Sequence, residues 1–206
     1  MTSRSSMRFE VGTMKIRYFF VLAVAMLWAF DASAQESSAV KPYDLEEAYA
    51  VYSVLLPLEE SSGFAKGTLV IQQDTVSERL SEECLTAEAA NNYKDAIADY
   101  MRVNSETWLL QRKFQVTAPY ELVRVETILT FFRKNGGGWD GFYKRYPKSG
   151  GFVILSAVGF NKDKSKAIVY TGSSCGGLCG RWSFHLLEKV GGKWKETGGV
   201  ACFTES

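Results

Sequence analysis

Four cysteines, Cys84, Cys175, Cys179 and Cys202, and a single histidine, His185, carry the most distinctive chemistry in this 206-residue chain. Two of the cysteines lie in Thr171-Gly172-Ser173-Ser174-Cys175-Gly176-Gly177-Leu178-Cys179-Gly180, a small-residue segment between two strand-like runs. A thiolate becomes a nucleophile when a nearby base or positive field raises it. Cys175, Cys179 and His185 are therefore the residues of a thiol enzyme, if there is one. The competing reading is structural, because an even cysteine count in an exported chain forms disulfides. Four cysteines allow three pairings; Cys175–Cys179 and Cys84–Cys202 are the favoured ones, and sequence alone does not choose. The spacing is C-x-x-x-C, not the C-x-x-C of thioredoxin-like enzymes, and one histidine with two remote cysteines completes no zinc signature. No metal and no cofactor is expected.

Other chemistries fare worse. Gly172-Ser173-Ser174-Cys175-Gly176 matches G-x-S-x-G, but a nucleophile elbow needs a helix after the turn and an acid between serine and histidine, and both are missing. Glu126, Asp140 and Glu188 are carboxylates that only the fold can bring together. Gly136-Gly137-Gly138 lacks the Lys-Ser/Thr of a phosphate loop. Aromatic and basic residues interleave from Trp139 through Tyr143, Lys144, Arg145 and Tyr146, a pattern that suits stacking on a flat ligand and attracting an anion. These five are the candidate binding residues, against the alternative that the rings dock a short helix onto a sheet.

Residues 1–34 have the layout of a secretory signal: Arg4, Arg8, Lys15 and Arg17, then an apolar run from Tyr18 to Phe30, then Ala32-Ser33-Ala34. The run is too short for a membrane span, so cleavage before Gln35 is expected, with Met1, Met7 or Met14 as the start. Cleavage would leave 20 basic and 21 acidic residues from the 24 and 23 of the whole chain. A charge this close to neutral gives no pull toward nucleic acid or anionic lipid. Residues 35–206 then form one domain that is exported to the periplasm or the exterior, where a ligand or protein of the envelope or of the extracellular space is the partner it would meet.

Apolar spacing predicts a helix over Leu45–Leu56 stopping before Pro57, a strand over Gly67–Gln72, and a second helix in which Ala90, Tyr93, Ile97, Tyr100 or Met101, Asn104 and Trp108 recur, with Thr86 as its cap. A strand over Tyr120–Val125, a helix over Glu126–Lys134 and a helical turn carrying Trp139 to Tyr146 follow. Strands Phe152–Phe160, Ala167–Gly172, Arg181–Lys189 and Lys193–Phe203 are joined by short turns, which implies antiparallel pairing. The expected fold is α+β, with N-terminal helices packed on a C-terminal antiparallel meander of about four strands.

Gly141-Phe142-Tyr143-Lys144-Arg145-Tyr146-Pro147, Cys175-Gly176-Gly177-Leu178-Cys179-Gly180, Leu186-Leu187-Glu188-Lys189 and Gly192-Lys193-Trp194 together resemble a group of uncharacterised secreted bacterial proteins. Tyr49-x-Val51-Tyr52-Ser53 fits the same group, and the double-cysteine turn is its most specific piece. The resemblance implies secretion and transfers no activity. A fainter likeness of the closing strands to NTF2-like domains would imply a curved sheet that cradles a ligand. The function these observations favour is a non-catalytic domain that binds a ligand or partner; the alternative is a small thiol enzyme or hydrolase centred on the Cys175/Cys179 turn with His185, and a third reading is an inhibitor or immunity-type partner of another protein.

Overall fold

The computed structural model describes residues 40–59, 67–198 and 203–205, within one compact unit over 40–206. The proposed signal and Cys202 lie outside the described residues. Among these, the chain forms β1 (Lys41–Tyr43), α1 (Glu46–Glu59), β2 (Leu69–Gln72), a 3-10 turn (Glu82–Cys84), α2 (Ala87–Asn92), α3 (Lys94–Val103), β3 (Trp108–Leu110) and β4 (Tyr120–Val123). Then come α4 (Val125–Phe132), α5 (Gly138–Arg145), β5 (Phe152–Leu155), β6 (Gly159–Phe160), β7 (Lys166–Gly176), β8 (Cys179–Val190), β9 (Lys193–Glu196) and β10 (Phe203–Glu205).

Eight strands make one mixed sheet in the order β10-β8-β7-β5-β2-β4, with β6 on β7 and β9 on β8, while β1 and β3 pair apart from it. The C-terminal half is the expected antiparallel meander, since β5, β6, β8 and β9 each run antiparallel to a neighbour. The all-antiparallel expectation is corrected on its other side, where β2 lies between β4 and β5 and is parallel to both. Helical connections explain this: strands joined through α2–α3 and α4–α5 have enough chain to return in the same direction, whereas a two-residue turn does not. The single strand expected over Phe152–Phe160 is broken at 156–158, and the helix expected after Thr86 is two helices meeting at Tyr93. Helix α1 runs past the expected stop to Glu59, with Pro57 in its last turn.

Alternation along each strand sorts the sheet into two faces. Leu69, Ile71, Val153, Leu155, Val169 and Leu187 meet Tyr49, Tyr52, Leu55 and Leu56 of α1. On the other face Ile168, Phe184 and Leu186 meet Tyr93, Ala96 and Tyr100, and Val70 and Val123 meet Ile128, Phe142 and Tyr146. Covered on both sides, β2 is buried at all four positions and reads as a continuous Leu-Val-Ile run without alternation. Beyond its end, the buried Asp74 carboxylate accepts from Arg124 Nη2 at 2.9 Å and from the Val125 N–H at 2.7 Å. One acid thus closes an ion pair and supplies the N-terminus of α4 with an anion.

The break at 156–158 is fully buried, so its peptide groups need partners other than water. Tyr52 Oη donates to the Ser156 carbonyl at 2.7 Å, and the Val158 N–H donates to Tyr43 Oη at 3.0 Å. Asn104 brackets Ala157, accepting its N–H at 2.9 Å and donating to its carbonyl at 3.0 Å. Gly159 follows because α3 passes so close that a side chain there would strike the backbone of Ala96 and Tyr100. Tyr52→Phe keeps the ring and orphans the Ser156 carbonyl; it is expected to cost about 1–3 kcal/mol. Urea unfolding with an unchanged m-value checks this.

Candidate functional site

The double-cysteine segment is the end of the β7–β8 hairpin. Cys175 and Cys179 form a disulfide with Cα atoms 5.1 Å apart, and the ladder runs out to the Gly176–Cys179 pair. Leu178 at the tip is 90% exposed. Tyr143 Oη donates to the Cys175 carbonyl at 2.7 Å, which ties α5 to the hairpin. The glycines divide by role. Gly172 and Gly180 lie under the Trp182 indole, where any side chain would overlap the ring, whereas Gly177 has open space around it. Cys84 is also disulfide-bonded, and no cysteine among the described residues is free.

His185 belongs to a different part of the sheet. It pairs with Val169, and Cys175 lies six positions further along β7, which is about 20 Å of strand. The structure therefore does not bring the histidine and the two cysteines together. His185 Nδ1 instead contacts Glu196 Oε1 at 2.6 Å, and Nε2 contacts Thr171 Oγ1 at 2.9 Å. This acid, imidazole and hydroxyl line has the connectivity that activates a nucleophile. Two facts oppose that use: Thr171 is only 3% exposed, and it lies inside a strand laddered on both sides, which leaves no backbone N–H pair to receive an oxyanion. The arrangement holds β9 against β8 from the α1 side of the sheet. Its hydrogen bond from His185 keeps the Glu196 carboxyl below the ordinary value of 4.5.

The aromatic-basic segment also turns mostly inward. Tyr146 is buried, the Trp139 ring stacks on Phe152 at 5.8 Å, and Tyr143 stacks on Trp139 at 5.7 Å. Ring faces expected to meet a flat ligand are thus engaged by the core. Lys144 is exposed, and Arg145 lies over the Tyr146 ring at 4.9 Å and 3.8 Å from Glu121. Glu126 on α4 pairs with Arg124, Glu188 on β8 pairs with Lys166, and Asp140 sits in the first turn of α5. No cluster of three or more acidic, histidine or cysteine side chains placed to hold a metal occurs among the described residues.

An open apolar surface lies elsewhere, on the outer side of α2 and α3. Leu80, Leu85, Ala90, Lys94, Ile97 and Met101 line a groove of about 380 Å³. Ala90, Lys94, Ile97 and Met101 recur at helical spacing along one face, and Met101 is 51% exposed. The stripe that enters the core is the neighbouring one, Ala89, Tyr93, Ala96 and Tyr100. Thr86 starts this helical pair as expected, accepting the Ala89 N–H at 3.1 Å. The spacing of Ala90, Tyr93, Ile97 and Tyr100 or Met101 merges the two stripes, so the groove is not legible from it; Ile97 borders both, packing partly against the core while it lines the groove.

Two expectations follow. Replacing Cys175 and Cys179 together by serine opens a short loop and costs roughly 2 kcal/mol in the chain-entropy model, measured by urea unfolding. The lowered Glu196 carboxyl adds stability that is complete above its ordinary value of 4.5 and is lost as pH falls through its lower folded value. Glu196→Gln should therefore flatten the acid limb of stability below that pH, as read from unfolding midpoints at pH steps from neutrality downward. Comparison with family models, curated proteins and solved structures finds no match to this chain.

Proposed function

We propose that this chain is an exported domain that binds a ligand or partner without transforming it, and that the groove on α2 and α3 is the binding surface. One observation carries the reading: five aliphatic side chains and one lysine enclose about 380 Å³ of space open to solvent. That volume falls in the range of small-molecule sites, which are concave, mostly apolar and supplied with few polar groups. The Cys175–Cys179 disulfide is compatible with export, as is the lack of any helix among the described residues long and apolar enough to cross a membrane. The thiol-enzyme alternative has less support, because its two sulfurs are joined to each other and its only imidazole is engaged by Glu196 and Thr171.

A neutral fluorescent reporter of apolar surface, Nile red, tests the groove directly. Saturable enhancement is expected with the mature protein, weakened tenfold or more by Met101→Glu at an exposed position that leaves the circular dichroism unchanged. Enhancement that fails to saturate, or that survives Met101→Glu at full strength, removes the groove from consideration.

A further inference from the structure

We propose that the groove takes an anionic amphiphile, an unbranched alkyl chain ending in a carboxylate or similar acid, with the chain against Leu80, Leu85, Ile97 and Met101 and the acid at Lys94. The proposal rests on the binding reading above and names the class of ligand for that site.

The lining has no aromatic ring among its six residues, so nothing there selects a flat ligand by stacking. Its walls are leucine, isoleucine, alanine and methionine, and methionine adapts its flexible thioether to irregular apolar shapes. From Ala90 to Met101 the face extends roughly 16 Å at the rise of an α-helix, a long and narrow surface that suits an extended chain. Lys94 is the one charged residue in the lining. Lys41, Lys113, Lys166 and Lys189 are ion-paired, whereas Lys94 belongs with the surface lysines that are not, and it is set apart from those by its place in the groove. Lys94 is exposed and has no ion pair among the described residues. An ammonium left open at the rim of an apolar groove complements an acid headgroup and opposes a cationic one. Past Met101 the surface continues into a second pocket of about 210 Å³, lined by Ser77, Glu78, Arg79, Tyr100 and Asn104. It carries one charge of each sign and gives no preference of its own.

Displacement of Nile red separates the proposal from the reading beneath it. Decanoate and decyltrimethylammonium have equal chains and opposite charge, and both are used below their micelle concentrations. The expected result is displacement by decanoate at a tenfold or more lower concentration, with each methylene removed from the acid weakening it by up to about fourfold. Lys94→Glu, a surface change on an exposed residue, should reverse the order of the two. Equal displacement by both, or a preference for decanoate that Lys94→Glu leaves intact, overturns the anionic headgroup while the groove remains a binding site. Saturable Nile red binding that neither amphiphile displaces also overturns the proposal and assigns the groove to another occupant, such as an apolar peptide segment. If Nile red does not bind saturably to the unmodified protein, the binding reading itself fails.

Discussion

The buried interruption at Ser156-Ala157-Val158 is the constraint to which the rest of the fold answers. A strand that stops inside a core leaves peptide groups without a ladder, and those groups cannot be left unpaired. Three elements meet there to supply the partners: Tyr52 from α1 on one face, Tyr43 from β1, and Asn104 at the end of α3. Because each partner must arrive at hydrogen-bond distance, the positions of α1 and α3 are fixed by polar geometry as well as by apolar packing. The close approach of α3 over Gly159 belongs to the same requirement.

That placement bears on the groove. Its inner stripe, Ala89, Tyr93, Ala96 and Tyr100, is committed to the sheet, and Tyr100 Oη donates to the Glu78 carbonyl at 2.9 Å. Ser77 Oγ contacts the Asn104 carbonyl at 2.5 Å. The segment forming the opposite wall is therefore tied to the same helix that forms the floor. A groove whose two sides share one anchor has walls fixed by the fold itself, which would lower the ordering cost of the proposed binding.

Much of this architecture was legible in the chain because it rests on local chemistry. Gly191 and Gly192 mark the β8–β9 turn, and both adopt positive φ, 59° and 78°. Thr86 marks a helix start by the side-chain acceptor it offers. The Cys175–Cys179 bond lay among the pairings the sequence allowed. What was not legible depends on distant partners. Strands β1 and β3 are three residues each and pair with one another across the whole of α1, β2, α2 and α3. The parallel insertion of β2 has no local signature beyond an unbroken apolar run, which a short buried segment of either type shows. In α2 and α3 the two stripes differ by one residue, and each mixes small and large side chains, Ala89, Tyr93, Ala96 and Tyr100 against Ala90, Ile97 and Met101, so residue type alone does not mark which one enters the core.

The Trp182 indole resting on Gly172 and Gly180 has a consequence for how this hairpin tolerates inherited change. Three positions on two strands form one unit: a larger residue at either glycine displaces the ring, and loss of the ring uncovers a glycine on each of β7 and β8. Each single replacement is penalised, whereas a joint replacement that restores contact is not. Drift at this end of the sheet is therefore epistatic, and glycine, glycine and tryptophan should be kept or exchanged together across descendants, even where the exposed tip between them varies freely.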